Sequence, residues 1–246
     1  MTSPGAEEGA KHPSRNQHAR SGFETRPAGP GASQPTVRWT VVIPVKAPAT
    51  GKTRLSPALA DDARALLARA FALDTIAAAR AADSVERVIV VGDDPSLADG
   101  AEFLAEPGGA ERGLPPAIRH GIAQARSVTP VAVAVLLGDL PALTPAELDD
   151  ALEDAARHPL AFVRDADGTG TTLATAAPGI DLEPHFGPDS AARHAAAGFV
   201  ELEASAAPGL VRDVDTVDGL SAVLHHGVGD HTAEAVARLA DRKGTP

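Results

Sequence analysis

Apolar residues form two patterns along this chain, which are continuous runs and a regular spacing near 3.6 residues. Runs rich in Val, Ile, Leu and Ala, typical of strands buried on both faces, lie within residues 36–45, 86–94 and 131–143, and the second and third runs end at Gly92-Asp93-Asp94 and Gly138-Asp139. Segments whose apolar side chains follow a spacing near 3.6, typical of amphipathic helices, occupy residues 60–82, 114–127 and 144–158. The last of these begins with Thr144 as its N-cap and Glu147 three residues later, which predicts a capping box. Buried strands that alternate with helices predict an α/β fold with a mostly parallel sheet.

Shorter elements are predicted in the second half of the chain. They are a strand, glycine turn and strand at 160–177, a short helix at 189–198, short strands at 199–204 and 210–216, and helices at 217–226 and 231–242. Ligands bind beyond the carboxyl ends of strands in parallel sheets. The polar residues at those ends, Lys46, Gly92, Asp139 and the turn before Thr172, are therefore the first candidates for a site.

The composition fits one folded domain with a tail. Of the 246 residues, 43% are hydrophobic and 22% charged, which suits a single domain with a sizeable core over residues 36–242. Residues 1–35 are rich in Gly, Pro, Ser, Arg and His, and they bury too little apolar surface to offset the entropy of ordering. We therefore expect a disordered N-terminal tail and a flexible end at 243–246.

Charge and cysteine content narrow the range of functions. The net charge of −11 argues against non-specific binding to nucleic acid or to an anionic membrane. The absence of cysteine excludes disulfides, thiolate metal sites and thiol catalysis. Neither an apolar run of about 18 residues nor an apolar N-terminal segment is present, so no transmembrane helix or secretory signal is predicted. We expect a cytoplasmic protein.

The segment after the first predicted strand contains the Gly-Lys-Thr sequence of a P-loop at residues 51–53. A P-loop needs a glycine where this chain has Lys46, and Pro48 lacks the N–H that would face a phosphate. The segment nevertheless carries three cations, Lys46, Lys52 and Arg54. They fit either a solvated basic loop or a loop that surrounds a triphosphate, and the position after a buried strand favours the triphosphate.

Three aspartates stand next to apolar segments. Asp139 directly follows the third buried strand, where a carboxylate is costly unless it is paired or binds a cation. Asp213 and Asp215 belong to the predicted strand at 210–216, and strand alternation places both on one face. Mg²⁺ binds carboxylates together with phosphate oxygens. The aspartates therefore indicate a metal site, with a helix N-cap or a salt bridge as the alternative.

Two further segments offer groups that bind anions. Residues 168–172, GTGTT, combine flexible glycine backbone with hydroxyls, and FGPDSAARH places Gly187 and Ser190 just before a short helix that contains Arg193. Free N–H groups at a helix N-terminus, a hydroxyl and an arginine together can bind an anion. An ordinary helix capped by Asp189 or Ser190 is the alternative.

The nine histidines show no spacing that is typical of metal ligands. His225 and His226 are adjacent and point to different faces of a helix, while His185 and His194 stand isolated. The G-x-S-x-G and H-E-x-x-H motifs are also absent, so the sequence does not support a serine hydrolase or a zinc protease.

Taken in order, these segments resemble one enzyme family. VIPVK…GKTRL, LLGDLPAL, DGTGTTL, FGPDSAARH and RDVDT resemble the phospholactate/phosphoenolpyruvate guanylyltransferases over roughly Trp39 to Leu220. That family belongs to the molybdenum-cofactor-guanylyltransferase-like nucleotidyltransferases and acts in biosynthesis of coenzyme F420. The resemblance implies a Rossmann-like α/β nucleotidyltransferase domain with a mostly parallel mixed sheet flanked by helices. It also implies transfer of GMP from GTP to a small phosphorylated acid, with phosphoenolpyruvate favoured.

The resemblance also implies roles for individual residues. Thr172, Gly187 and Ser190, with Arg193 beside them, would bind the phosphorylated acid. Asp139 and one of Asp213 and Asp215 would hold Mg²⁺, and Lys46, Lys52, Arg54 and Gly92 would bind the nucleotide. Asp139 and Lys46 are thus the residues expected to act in catalysis.

One departure from the family keeps alternatives open. Related enzymes have an Asn where this chain has Pro115, so recognition of the base rests on the resemblance alone. The alternatives are a 2-phospholactate guanylyltransferase, a molybdopterin-type nucleotidyltransferase and a catalytically silent nucleotide-binding module. The sequence leaves the choice between a monomer and a homodimer open.

Overall fold

One mixed sheet with helices on both faces organises the part of the chain that the computed structural model describes, residues 37–45, 60–109 and 112–244. The strands in these ranges are β1 (Trp39–Pro44), β2 (Val85–Gly92), β3 (Glu102–Ala105), β4 (Ala132–Leu136), β5 (Leu160–Arg164), β6 (Thr171–Ala176) and β7 (Val200–Glu201). The helices are α1 (Asp61–Ala81), α2 (Leu114–Ala125), α3 (Pro145–Ala155), α4 (Ser190–Ala196), α5 (Pro208–Val211), α6 (Val217–His226) and α7 (Asp230–Gly244).

The strand order is β3-β2-β1-β4-β6-β5-β7. Strands β3, β2, β1 and β4 run parallel to one another, and β7 is parallel to β5. Strand β6 is antiparallel to both of its neighbours, β4 and β5. The sheet is therefore mixed and mostly parallel, as the sequence predicted.

The strand order reverses between β1 and β4. From β1 the chain passes through α1 to β2 on one side, whereas β4 pairs with β1 on the other side. A crevice opens at such a point beyond the carboxyl ends of the two strands, and this is where ligands bind in open α/β sheets. The segment that follows β4 contains Asp139.

Alternation along the strands divides the core between the two faces of the sheet. In β1, Val41 and Ile43 pack on the face covered by α1 and α3, while Val42 between them packs on the face covered by α2. All three side chains are completely buried. This two-sided burial explains why the central strands are continuously apolar rather than alternating.

Local signals in the sequence account for several helix ends. Thr144 and Glu147 form the predicted capping box at the start of α3, because Glu147 N–H donates to Thr144 Oγ1 and Thr144 N–H donates to Glu147 Oε2. The start of α7 is capped from another helix. Asp74, buried on α1, accepts the N–H groups of His231 and Thr232 at 3.0 and 2.8 Å.

The structure differs from the prediction at two elements. Residues 210–216 do not form a strand, because Leu210 and Val211 donate to Ala207 O and close the helical turn α5, after which the chain continues without ladder pairing. Strand β3 was not predicted. It is a short, partly exposed edge strand that is held by its pairing with β2.

Among the described residues, no helix combines the length and the apolar character needed to cross a membrane.

Candidate active site

Asp139 lies in the segment that follows β4, and a buried side chain of α1 supports that segment. Leu140 N–H donates to Thr75 Oγ1 at 3.0 Å, and the same hydroxyl donates to Phe71 O at 2.8 Å. Thr75 is completely buried, so the hydroxyl is a rigid partner for the backbone. The carboxylate of Asp139 is thereby placed, half-buried, at the carboxyl edge of the sheet.

Val214, the residue between Asp213 and Asp215, holds both aspartates beside Asp139. Val214 N–H donates to Asp139 O at 3.1 Å, and the Val214 side chain is completely buried against α1. With Val214 facing inward, Asp213 and Asp215 on either side are half-buried. The predicted alternation holds in this extended segment although no strand forms there.

Asp139, Asp213 and Asp215, here termed the acidic cluster, converge closely. One carboxylate oxygen from each residue lies within 4.8 Å of the other two. Carboxylates at this separation repel one another, and a cation between them offsets that repulsion. Carboxylate oxygens are ligands that Mg²⁺ and other hard cations prefer. The acidic cluster therefore fits a divalent metal ion.

The β5–β6 turn is closed by one carboxylate. Asp165 accepts the N–H groups of Thr169 and Gly170 at 3.0 and 2.8 Å. A Cβ at Gly170 would overlap the Asp165 carboxylate, so a larger residue here would displace that side chain. Ala166 N–H donates to Val211 O at 2.8 Å, which ties the turn to the segment that leads into the acidic cluster.

Thr172 lies at an irregularity of the β5–β6 ladder. The register shifts between Val163 and Arg164, which pair with Leu173 and Thr171 respectively. Thr172 is completely buried, its backbone oxygen accepts Leu137 N–H, and no described residue donates to or accepts from its Oγ1. Thr172 thus lies between the end of β4 and the α4 region.

The other three residues predicted to bind the phosphorylated acid lie around the start of α4. Gly187 and Arg193 are exposed, and the Arg193 guanidinium lies 3.2 Å from the position that a Cβ of Gly187 would occupy. Gly187 has a φ of 118°, a conformation that favours glycine. Ser190 is buried and its hydroxyl donates to Thr171 Oγ1 at 3.1 Å. The segment therefore presents a cation outward and a hydroxyl inward.

The structure gives Gly92 a packing role at the end of β2. A Cβ there would lie 2.7 Å from Val45 O, so glycine allows the ends of β1 and β2 to approach. The predicted triphosphate residues Lys46, Lys52 and Arg54 lie outside the described residues. Their assignment to the nucleotide stays a prediction.

A histidine that the sequence left isolated has the most contacts in this region. His194 is completely buried, with Nδ1 3.0 Å from Ser190 O and 3.1 Å from Thr171 Oγ1. Burial lowers the pKa of His194 from 6.5 to about 4, and the nearby His185 adds to the effect. Thr171, Ser190 and His194 are here termed the histidine cluster. Ser190 and His194 are one helical turn apart on α4, whereas Thr171 lies on β6, too far along the sequence for a local pattern to connect it to them.

A cavity of about 430 Å³, which no motif in the sequence predicted, lies near the carboxyl ends of β5 and β7. Its charged lining residues are Arg164, Asp165, Glu201, Glu203 and Arg212. Arg164 forms a two-bond ion pair with Glu201, at 2.8 and 2.6 Å. The sequence signal that could have indicated this cavity is the pair of charged residues, Arg164 and Asp165, at the end of a buried strand.

The solved structures that resemble this fold define its class. A protein from Desulfovibrio desulfuricans G20 assigned to the nucleotide-diphospho-sugar transferases superposes with a TM-score of 0.59. The superposition covers 76% of this chain and 86% of that chain at 19% sequence identity, a level that shows the fold alone. The predicted nucleotidyltransferase-like α/β fold is thus confirmed.

Sequence relatives then identify the family. The family model for CofC-like guanylyl transferases matches residues 39–241. The phosphoenolpyruvate guanylyltransferase of Streptomyces scabiei is 51% identical over 211 residues, which covers 82% of this chain and 98% of the relative. The enzyme of the same name from Streptomyces coelicolor is 50% identical over 210 residues, with the same two coverages. This chain belongs to the CofC-like guanylyltransferase family.

Proposed function

We propose that this protein is a Mg²⁺-dependent phosphoenolpyruvate guanylyltransferase of coenzyme F420 biosynthesis. A phosphate oxygen of phosphoenolpyruvate attacks the α-phosphorus of GTP and forms a new P–O–P linkage. The bond between the α-phosphorus and the bridging oxygen breaks, and pyrophosphate leaves with its electron pair. The products are enolpyruvyl-diphospho-guanosine and pyrophosphate.

Relatives at about half identity over most of the chain carry this proposal, because they bear the name of this activity. The acidic cluster supports it, since three carboxylates converge at the edge where the strand order reverses. Of the alternatives, 2-phospholactate is disfavoured by the names of these relatives, and a silent module is disfavoured by the acidic cluster.

The donor set of the acidic cluster fits Mg²⁺. Asp139, Asp213 and Asp215 would hold the ion, and their half-buried positions leave room for phosphate oxygens and water to complete its shell. When bound, Mg²⁺ neutralises charge on phosphate oxygens and so favours the meeting of two anions. Thr75 and Val214 fix the segments that carry the three carboxylates.

The acceptor is proposed to lie against the start of α4. Arg193 supplies an exposed cation for its phosphate or carboxylate, and the left-handed backbone at Gly187 lets that side chain approach closely. Thr172 and Ser190 form the inner side of this position. A phosphate monoester has a second pKa of about 6, so the acceptor is already largely ionised and requires no protein base.

The nucleotide is proposed to lie on the β1 side of the same crevice. Lys46, Lys52 and Arg54 follow β1 in the sequence, and three cations suit the triphosphate and the departing pyrophosphate. Lys46 and Asp139 are the residues proposed to act at the α-phosphate. Within the proposed nucleotide site, recognition of the guanine base is supported by the family resemblance alone, because Pro115 replaces the expected Asn.

Pyrophosphate release tests this function. The full-length protein is incubated with GTP, Mg²⁺ and either phosphoenolpyruvate or 2-phospholactate, and the nucleotide product is identified by mass spectrometry. We expect pyrophosphate and the enolpyruvyl product with phosphoenolpyruvate, and slower turnover with 2-phospholactate. ATP and CTP in place of GTP measure base selection. Absence of pyrophosphate with both acids would overturn the proposal.

A further inference from the structure

The His194 side chain joins three separate parts of the chain beneath the proposed acceptor position. Nδ1 contacts Ser190 O on α4 at 3.0 Å and Thr171 Oγ1 on β6 at 3.1 Å. Nε2 accepts the backbone N–H of His185, in the segment that leads to Gly187, at 3.3 Å. Both ring nitrogens are therefore used, and each bond reaches a segment that carries a residue of the proposed acceptor site.

We propose that His194 is a positioning residue that fixes the acceptor-binding segment relative to β6. The inference rests on the proposed function, because it names what holds the acceptor site together. His194 itself is completely buried and so lies behind the surface that meets the acceptor. Its effect on catalysis passes through Ser190, Thr171 and the 185–187 segment.

The hydrogen bonds determine which form of the imidazole is present. The His185 N–H can donate only to an unprotonated Nε2, so the neutral ring carries its proton on Nδ1. That N–H donates to Ser190 O and Thr171 Oγ1, and Thr171 Oγ1 also accepts from the Ser190 hydroxyl. A second proton on Nε2 would face the His185 N–H as donor against donor and break the link.

The surroundings keep the ring neutral. Phe162 stacks on the imidazole at 5.7 Å between centroids, and Phe186 and Phe199 contact it edge-on at 5.1 and 4.9 Å. The titratable and charged neighbours are His185 and Arg193, and both disfavour a second positive charge. An apolar side chain would fill such a pocket more cheaply, so packing alone does not explain a histidine here.

Steady-state kinetics of three variants test the inference. His194→Phe keeps the aromatic packing and removes all three hydrogen bonds of the ring, and Thr171→Val removes the hydroxyl at equal size. We expect each variant to raise KM for phosphoenolpyruvate by about tenfold while kcat and KM for GTP change less than about twofold. Leu152→Ala, a buried change on α3, is the control that lowers stability and leaves both KM values unchanged.

His194→Gln supplies an amide donor and acceptor and should recover part of the lost affinity. Calorimetric binding of phosphoenolpyruvate gives a second measurement that needs no turnover. Wild-type protein that neither turns over nor binds phosphoenolpyruvate would overturn the proposed function, and this inference with it. Active wild-type protein together with unchanged KM in His194→Phe and Thr171→Val would overturn the positioning role alone. If His194→Phe does not fold, Thr171→Val decides.

Discussion

The acidic cluster and the histidine cluster lie at the same edge of the sheet and are built in opposite ways. The acidic cluster brings together three half-buried carboxylates whose charges repel. The histidine cluster is completely buried and neutral, and its donors meet acceptors within the protein. The first arrangement is favourable when a cation binds, whereas the second needs no ligand. One is suited to chemistry and the other to holding a binding segment in place.

The comparison is tested most severely by removing a charge from the acidic cluster. Asp139→Asn should lower kcat/KM by on the order of 10³, because a ligand that contributes several kcal/mol to the transition state is lost. The fold should remain, since no core volume changes. Turnover and metal affinity by calorimetry measure the effect. Asp181→Asn, a 99% exposed aspartate, is the matched control, and equal activity in both variants would refute the metal assignment.

The histidine cluster should instead respond to pH through stability. The unfolded chain protonates His194 below pH 6.5, whereas the folded protein does so only near pH 4. The unfolded state therefore binds more protons in this window, and stability falls as pH falls. The contribution between pH 7.5 and pH 5 is about 2 kcal/mol.

Urea unfolding of wild type and His194→Phe at the two pH values isolates this contribution. The variant should lose about 2 kcal/mol less than wild type between pH 7.5 and pH 5. Other titrating groups are common to both proteins and cancel in the difference. Parallel loss of stability in the two proteins would show that His194 is not held neutral.

A substitution at Val214 tests how the positions of the three carboxylates affect metal affinity, because it changes no charge in the acidic cluster. Val214→Ala should lower the free energy of unfolding by about 1.5 kcal/mol and weaken Mg²⁺ affinity by about tenfold, because the anchor between Asp213 and Asp215 is reduced. Val223→Ala lies in the same core cluster and is buried to the same degree. It should cost similar stability and leave metal affinity unchanged, and an equal loss of affinity would contradict the anchoring role.

The smallest expected effect concerns the turn that supports α4. Gly170→Ala should cost about 1 kcal/mol, because its Cβ would displace the Asp165 carboxylate from two backbone N–H groups. Thr169 O accepts Ala191 N–H, so KM for phosphoenolpyruvate should also rise slightly. Gly108→Ala is the control, since a Cβ there meets nothing within 4 Å. Thermal unfolding that is unchanged in Gly170→Ala would contradict the role of Asp165.

Much of the framework was predictable from local pattern. The central strands and the long helices followed from apolar runs and a 3.6 spacing, because two-sided burial and amphipathic packing both mark the sequence directly. The start of α3 followed from its capping box. The placement of Asp139 followed from a charge directly after a buried strand, and the family followed from motifs in a characteristic order.

The predictions failed where a neighbouring segment decides the structure. Strand β3 forms because β2 offers an open edge, and the 208–211 turn forms where a strand was expected. The segment 213–215 is extended without a ladder, and its bond to Asp139 O replaces a strand partner.

By itself the sequence determined the central strands and long helices, the strand-end aspartate and the family, since each depends on residues close together along the chain. Only the tertiary structure decided that Asp213 and Asp215 both meet Asp139, and that His194 bonds to Thr171. Such meetings depend on how distant segments pack, and burial is the largest of the effects that keep the His194 ring neutral. Local periodicity records which side of an element faces the core, but not which distant residue it meets there.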